Sequence, residues 1–153
     1  MRVTKFSAQV YIDTSALLKY YVTETNSNEV EDFLTGRFLK NTANLVISSL
    51  SKLEWQCAMS RRERALEITA EYKQLAQVAF YNQLYTGYYQ VLYIENTIYE
   101  QALKLIDSVT PALRSLDALH LAVAQSANLH EIVTADKAMA AAAKELGFIV
   151  HQF

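Results

Sequence analysis

Cysteine, proline and glycine are all scarce, with one Cys, one Pro and three Gly among 153 residues. The lone thiol, Cys57, excludes an internal disulfide and any cysteine-based zinc cluster. It is expected to sit as a small core residue in a reducing compartment. So few breakers leave no repeat, low-complexity tract or linker in view. No apolar run approaches membrane-spanning length, and the opening Met1-Arg2-Val3-Thr4-Lys5-Phe6-Ser7 lacks the apolar segment of a signal peptide, so a cytoplasmic protein is expected. An excess of one charge is also missing. A net charge of -2 argues against a protein that coats nucleic acid by charge alone.

What the chain does have is apolar substance. With 52% hydrophobic and 20% charged residues it can build one real core and is too short for two, so residues 1–153 read as a single domain. The organising stretch is Val10-Tyr11-Ile12-Asp13-Thr14-Ser15-Ala16-Leu17-Leu18-Lys19-Tyr20-Tyr21. An apolar β-rich run ends in a carboxylate and a hydroxyl pair, and helical spacing begins at once with Leu17, Leu18, Tyr21 and Val22. In an open α/β sheet the crevice beyond the carboxyl ends of the strands holds the ligand, which is where Asp13 falls.

The remaining chain alternates in the same way. A helix is expected over Glu29 to Leu39, then a break at Asn41-Thr42-Ala43-Asn44 and a strand over Leu45 to Ser48. Ser49-Leu50-Ser51 opens a helix running to the basic cluster Arg61, Arg62 and Arg64, and a second long helix is expected from Ala65 to about Tyr85. After Gly87 come a strand at Val91 to Ile94 and a helix over Ile98 to Ile106 capped by Asn96 or Thr97. Thr110-Pro111 can open the next helix, which continues through Asp117 toward Ala127. Ile132-Val133-Thr134 is a fourth strand ending near Asp136, an alanine-rich helix ends at Gly147, and Phe148-Ile149-Val150 is a last strand. Strands separated by helices imply crossover connections and a mainly parallel sheet covered by helices.

Four carboxylates carry the chemistry. Asp13 follows the first strand, Glu54 lies in the first turn after the second, Asp117 sits near the start of an apolar helix, and Asp136 follows the fourth strand. Each has a local explanation. Asp13 and Asp136 can be N-caps, Asp117 can complement a helix dipole, and Ser51-Lys52-Leu53-Glu54 fits a capping box. Together they gain meaning, because parallel strands put the helix starts that follow them along one edge. Like charges so gathered call for a compensating cation. Carboxylates without a histidine or cysteine cluster suit Mg²⁺ or Mn²⁺ rather than zinc, and phosphodiester hydrolysis suits such a site. Two divalent ions would shift the formal charge from -2 to about +2, so a phosphate-backbone substrate is compatible with the acidic pI.

Four segments then resemble, in order, the motifs of PIN-domain ribonucleases: Tyr11-Ile12-Asp13-Thr14-Ser15-Ala16-Leu17-Leu18-Lys19, Ile47-Ser48-Ser49-Leu50-Ser51-Lys52-Leu53-Glu54, Leu113-Arg114-Ser115-Leu116-Asp117-Ala118-Leu119-His120-Leu121-Ala122, and Val133-Thr134-Ala135-Asp136. Within that family the similarity is to the VapC-like toxins of toxin–antitoxin pairs, and it spans nearly the whole chain. The resemblance implies a three-layer α/β/α sandwich and a Mg²⁺- or Mn²⁺-dependent endoribonuclease acting on RNA. It implies metal ligation by Asp13, Glu54, Asp117 and Asp136, a homodimer, and a small cognate antitoxin.

On this reading Asp13 and Asp117 are direct ligands, with Glu54 and Asp136 acting directly or through water. Thr14 and Thr134 either orient these carboxylates or simply form caps and turns. His120 lies one helical turn from Asp117 and can reach the site, though its apolar neighbours favour a hydrogen-bonded core histidine. Glu24 reads as a solvated helix end. Arg61, Arg62 and Arg64, with Lys19 and Lys52, either steer a phosphate backbone or mark ordinary exposed faces. Tyr81, Tyr85, Tyr88 and Tyr89 are expected in core or interface packing or, for one or two of them, in base stacking, with the helix before Gly87 serving a dimer or antitoxin contact. Phosphoaspartate chemistry is disfavoured, because Ser15 stands where a second aspartate is needed. The remaining rival is a catalytically silent PIN-fold module that binds RNA or protein.

Overall fold

The computed structural model describes residues 8–39 and 43–153, so the N-terminal Met1 to Ser7 and the expected break at Asn41 and Thr42 lie outside it. In chain order the elements are β1 (Ala8–Ile12), α1 (Thr14–Tyr21), α2 (Ser27–Leu39), β2 (Ala43–Ser48), α3 (Ser49–Arg64) and α4 (Ala70–Tyr85). Then follow β3 (Tyr89–Leu92), α5 (Asn96–Ser108), α6 (Ser115–Ser126), β4 (Glu131–Thr134), α7 (Lys137–Glu145) and β5 (Ile149–Gln152).

The five strands form one sheet of order β3-β2-β1-β4-β5, and every pairing is parallel. Because side chains alternate across a strand, the register separates two cores. Val10, Ile12, Leu45, Ile47 and Val133 point to one face, where α1 to α4 cover them with Leu17, Leu34, Trp55 and Phe80. Tyr11, Val46 and Ile132 point to the other, under α5, α6 and α7. The result is the three-layer α/β/α arrangement. β1 lies at the centre, with β2 and β4 on either side, so the chain leaves these three strands along one edge.

Several boundaries differ from the sequence expectations. The helix expected from Ala65 begins at Ala70, because α3 closes with Leu66 in the left-handed region at φ 59. The Leu66 and Glu67 amides turn back to the Glu63 and Arg62 carbonyls at 3.0 and 2.9 Å, and Thr69 then caps α4 by accepting from the Tyr72 amide at 3.1 Å. The third strand sits two residues earlier than Val91 to Ile94, because the run from Tyr88 to Ile94 is β-compatible throughout and pairing with β2 decides the register. Glu95, not Asn96 or Thr97, occupies the N-cap of α5. Thr110-Pro111 does not open α6, which starts at Ser115; the Thr110 amide donates to Glu145 Oε2 of α7 at 2.8 Å instead. The last strand, expected over Phe148 to Val150, runs from Ile149 to Gln152. Cys57 is exposed on α3 rather than in the core.

Candidate active site

Asp13 stands where β1 becomes α1. Its amide donates to the Val133 carbonyl at 2.9 Å, continuing the sheet, and its own carbonyl accepts from the Ala16 and Leu17 amides, which starts the helix. The backbone therefore performs the capping. The side chain makes no cap bond, and its Oδ2 accepts from Ser15 Oγ at 2.5 Å and Thr134 Oγ1 at 2.8 Å. Ser15 Oγ and Thr134 Oγ1 in turn accept from the Ala135 and Asp136 amides at 2.9 and 3.0 Å. Two hydroxyls thus join the turn after β1 to the turn after β4.

Glu54 lies in the second turn of α3, not the first, and it does not serve the capping box expected from Ser51-Lys52-Leu53-Glu54. That function belongs to Ser48 and Ser51, where the Ser48 amide donates to Ser51 Oγ at 3.3 Å. Glu54 is consequently free to turn inward. Its Oε1 accepts from Thr14 Oγ1 at 2.8 Å and lies 2.5 Å from His120 Nε2. Buried His120 also approaches Asp13 Oδ1 at 3.6 Å, and its Nδ1 lies 2.6 Å from the hydroxyl of buried Tyr11. His120 is therefore both the hydrogen-bonded core histidine and a neighbour of two candidate ligands.

Charge explains the protonation of this half. Burial alone would push Glu54 up and His120 down. Their mutual hydrogen bond and charge, joined at Glu54 by Thr14 and Arg114 and at His120 by the charges of Asp13 and Asp117, together outweigh it. The Glu54 carboxyl is held below the usual range and the His120 imidazole above it.

Asp117 and Asp136 form the other half. Asp117 is buried in the first turn of α6, and Asp136 caps α7 by accepting from the Met139 amide at 2.9 Å. Both converge on Arg114, whose Nε donates to Asp117 Oδ2 at 3.0 Å and whose Nη2 donates to Asp136 Oδ2 at 2.8 Å. Arg114 also interacts with Asp13, and its charge reaches Glu54. All four carboxylates therefore lie within one electrostatic neighbourhood at one sheet edge. The sequence offered no role for Arg114 beyond its place in a motif; the only signal was its spacing of three residues from Asp117, the separation of helical neighbours.

Among the described residues no three histidine, cysteine or acidic side chains already close into a metal cage. The donor set nonetheless fits a hard divalent cation. Its donors are carboxylate oxygens, and two of them, from different elements, already share one cation, the Arg114 guanidinium.

The surrounding charges are mixed. Arg62 is paired with Glu24 at 3.3 Å, so Glu24 is not merely a solvated helix end, and Lys19 Nζ donates to the Thr25 carbonyl at 2.7 Å. Arg61 and Arg64 are exposed. Of the tyrosines, Tyr89 is buried against Tyr21, while Tyr81 and Tyr85 are exposed on α4.

A family model described as "PIN domain" matches residues 10–145. The curated protein "Ribonuclease VapC47" of Mycobacterium tuberculosis is 29% identical over 143 residues, covering 92% of this chain and 93% of that protein. Among solved structures, VapC20 of M. tuberculosis, described as a sarcin-ricin loop cleaving toxin, superposes with a TM-score of 0.66 at 14% identity, over 92% of this chain and 96% of its own. VapBC2 of Rickettsia felis, solved with a DNA fragment from their promoter, gives 0.65 at 13% identity, over 94% and 98%.

Proposed function

The chain belongs to the PIN domain family, and on that premise we propose that it is an endoribonuclease that hydrolyses RNA with a divalent ion, Mg²⁺ or Mn²⁺, and is the toxin of a toxin–antitoxin pair. Asp13, Glu54, Asp117 and Asp136 would hold the ion. The observation that carries this reading is the convergence of Asp117 and Asp136 on one cation beside the pair formed by Asp13 and Glu54 around His120. The ribonuclease assignment of a relative covering nearly the whole chain supports the reaction. The toxin–antitoxin assemblies among the structural neighbours support a cognate antitoxin as partner. The reading includes a single domain, a homodimer and a cytoplasmic location; among the described residues no helix is long and apolar enough to cross a membrane.

When bound, a divalent ion supplies an activated water and offsets the charge that develops on the scissile phosphate. The protein's own groups set the donors in place. Ser15 and Thr134 both occupy Asp13 Oδ2, which fixes the carboxylate plane and leaves Oδ1 for other partners. Thr14 and His120 hold Glu54 Oε1 in the same manner. Donors fixed before the ion arrives reduce the reorganisation that binding demands.

Purified protein is expected to cut a mixed set of structured and unstructured RNAs with Mg²⁺ or Mn²⁺ and not with EDTA, and a folded Asp13→Asn variant is expected to lose cutting by at least about 100-fold. Equal silence of both proteins on every RNA, together with no metal-dependent rise in melting temperature, would replace this reading with the silent binding module.

A further inference from the structure

Arg114 presents a contradiction. Its side chain is 73% exposed, so solvent would hold the guanidinium well, yet it lies folded back on Asp117 and Asp136. Those are two of the groups that a divalent ion needs. A hard cation seated on these carboxylates at ligand distances of about 2.0 to 2.6 Å draws on the same oxygen lone pairs and repels a neighbouring positive charge, so it weakens the hold of Asp117 and Asp136 on the guanidinium. The contact is also built from groups that can part. Arg114 occupies the N-cap position of α6 through its backbone, whose carbonyl accepts from the Ala118 amide at 3.0 Å, and its side chain makes no cap bond. Nothing in the helix start requires the guanidinium to stay.

Resting on the nuclease reading above, we propose that Arg114 is handed from protein to substrate: without metal it neutralises Asp117 and Asp136, and with metal seated it is released to bind the RNA phosphate beside the reacting bond. The displaced guanidinium stays tethered at the mouth of the site. Its planar fork of donors matches two phosphate oxygens, and it gives a cluster of four carboxylates a cation where a polyanion must approach. The acidic residues alone would repel the substrate. Arg114 is in this scheme a substrate-binding residue and, in the metal-free protein, a competitor of the ion.

The test uses the full chain as wild type, Arg114→Ala and Arg114→Lys. Calorimetric titration with Mn²⁺ in the absence of RNA reads the competition. Anisotropy of a labelled single-stranded RNA in Ca²⁺ reads the phosphate contact. Because an exposed ion pair is modest in strength, Arg114→Ala is expected to bind Mn²⁺ roughly three- to fivefold more tightly and RNA at least about fivefold more weakly, with Arg114→Lys between. A structural brace predicts the opposite for the metal, since removing it would scatter the ligands. An Mn²⁺ affinity that is unchanged or weaker in Arg114→Ala, or an unchanged RNA affinity, therefore overturns the proposal while a wild type that binds Mn²⁺ and cuts RNA leaves the nuclease reading standing. A wild type that does neither ends both. Should Arg114→Ala fail to fold, Arg114→Lys carries the test, because it keeps the charge and loses the fork.

Discussion

Tyr11 is fully buried in the middle of the sheet, and burial pushes its phenol far above the ordinary tyrosine range, so the hydroxyl keeps its proton. A carboxylate can only accept, so the short contact to Glu54 requires a proton on His120 Nε2. In the neutral ring that leaves the Nδ1 lone pair for the Tyr11 hydroxyl to fill; in the charged ring Nδ1 donates to it. Either way the phenol fixes the imidazole plane, and the imidazole fixes Glu54. Tyr11→Phe retains the ring packing and strands Nδ1 in the interior, which is expected to cost about 1–3 kcal/mol. Urea denaturation at neutral pH checks it, and an unchanged midpoint would mean that water reaches Nδ1. Asp13 was legible in the sequence because a strand, a carboxylate and a helix start follow one another without a gap. Tyr11 was not, since the strand pattern that makes it a core residue is the same with or without a functional hydroxyl.

The turn between α3 and α4 shows what a breaker-poor sequence conceals at the scale of elements. Gly147 ends α7 at φ 88, with the Phe148 amide returning to the Ala143 carbonyl at 3.0 Å, and a glycine in that position announces the stop. Leu66 performs the same backbone task after α3 at φ 59 and announces nothing, because its apolar side chain reads as a helix position. Helical periodicity continues on both sides, so the expected helix absorbed five residues that form the turn. A β-carbon in the left-handed region costs roughly 1–2 kcal/mol, which asparagine tolerates better than leucine. Leu66 is 90% exposed, so little packing is lost on replacing it. Leu66→Asn is expected to stabilise the protein by about 0.5–1 kcal/mol and to raise the melting temperature by about 2–3 °C. A lower melting temperature in calorimetry would show that the contacts the leucine side chain makes outweigh the backbone strain at φ 59. Glu54 follows the same logic in reverse, since its local sequence fits a capping box that Ser48 and Ser51 supply instead, and only the tertiary approach of α1 and α6 gives it partners.

Across the whole molecule the two helical layers meet the sheet through apolar faces, but at the β5 side the attachment is ionic as well. Arg37 of α2 donates to Glu131 Oε2 of β4 at 2.9 Å, and His151 Nε2 of β5 lies 2.9 Å from the same oxygen. Phe33 of α2 packs on the His151 ring at 4.6 Å and near Phe153. One carboxylate thereby joins a helix of the α1 to α4 layer to the last two strands. Partial burial would raise the Glu131 pKa, but the His151 contact and the Arg37 charge outweigh it and hold the carboxyl below its ordinary value. A carboxyl with a lowered folded-state pKa stabilises the fold above the pKa it has in the unfolded chain, near 4.3, and loses that contribution as pH falls through the folded-state value. Solvent screening at this partly open site limits the contribution to about 0.5–1 kcal/mol. Glu131→Gln is therefore expected to lower stability by that amount at pH 7 and to converge with wild type toward pH 3, as measured by urea midpoints across the range. A constant difference from pH 7 to pH 3 would mean that shape rather than charge holds α2 against β4 and β5, and that the apolar contact of Phe33 with His151 and Phe153 suffices to close that edge.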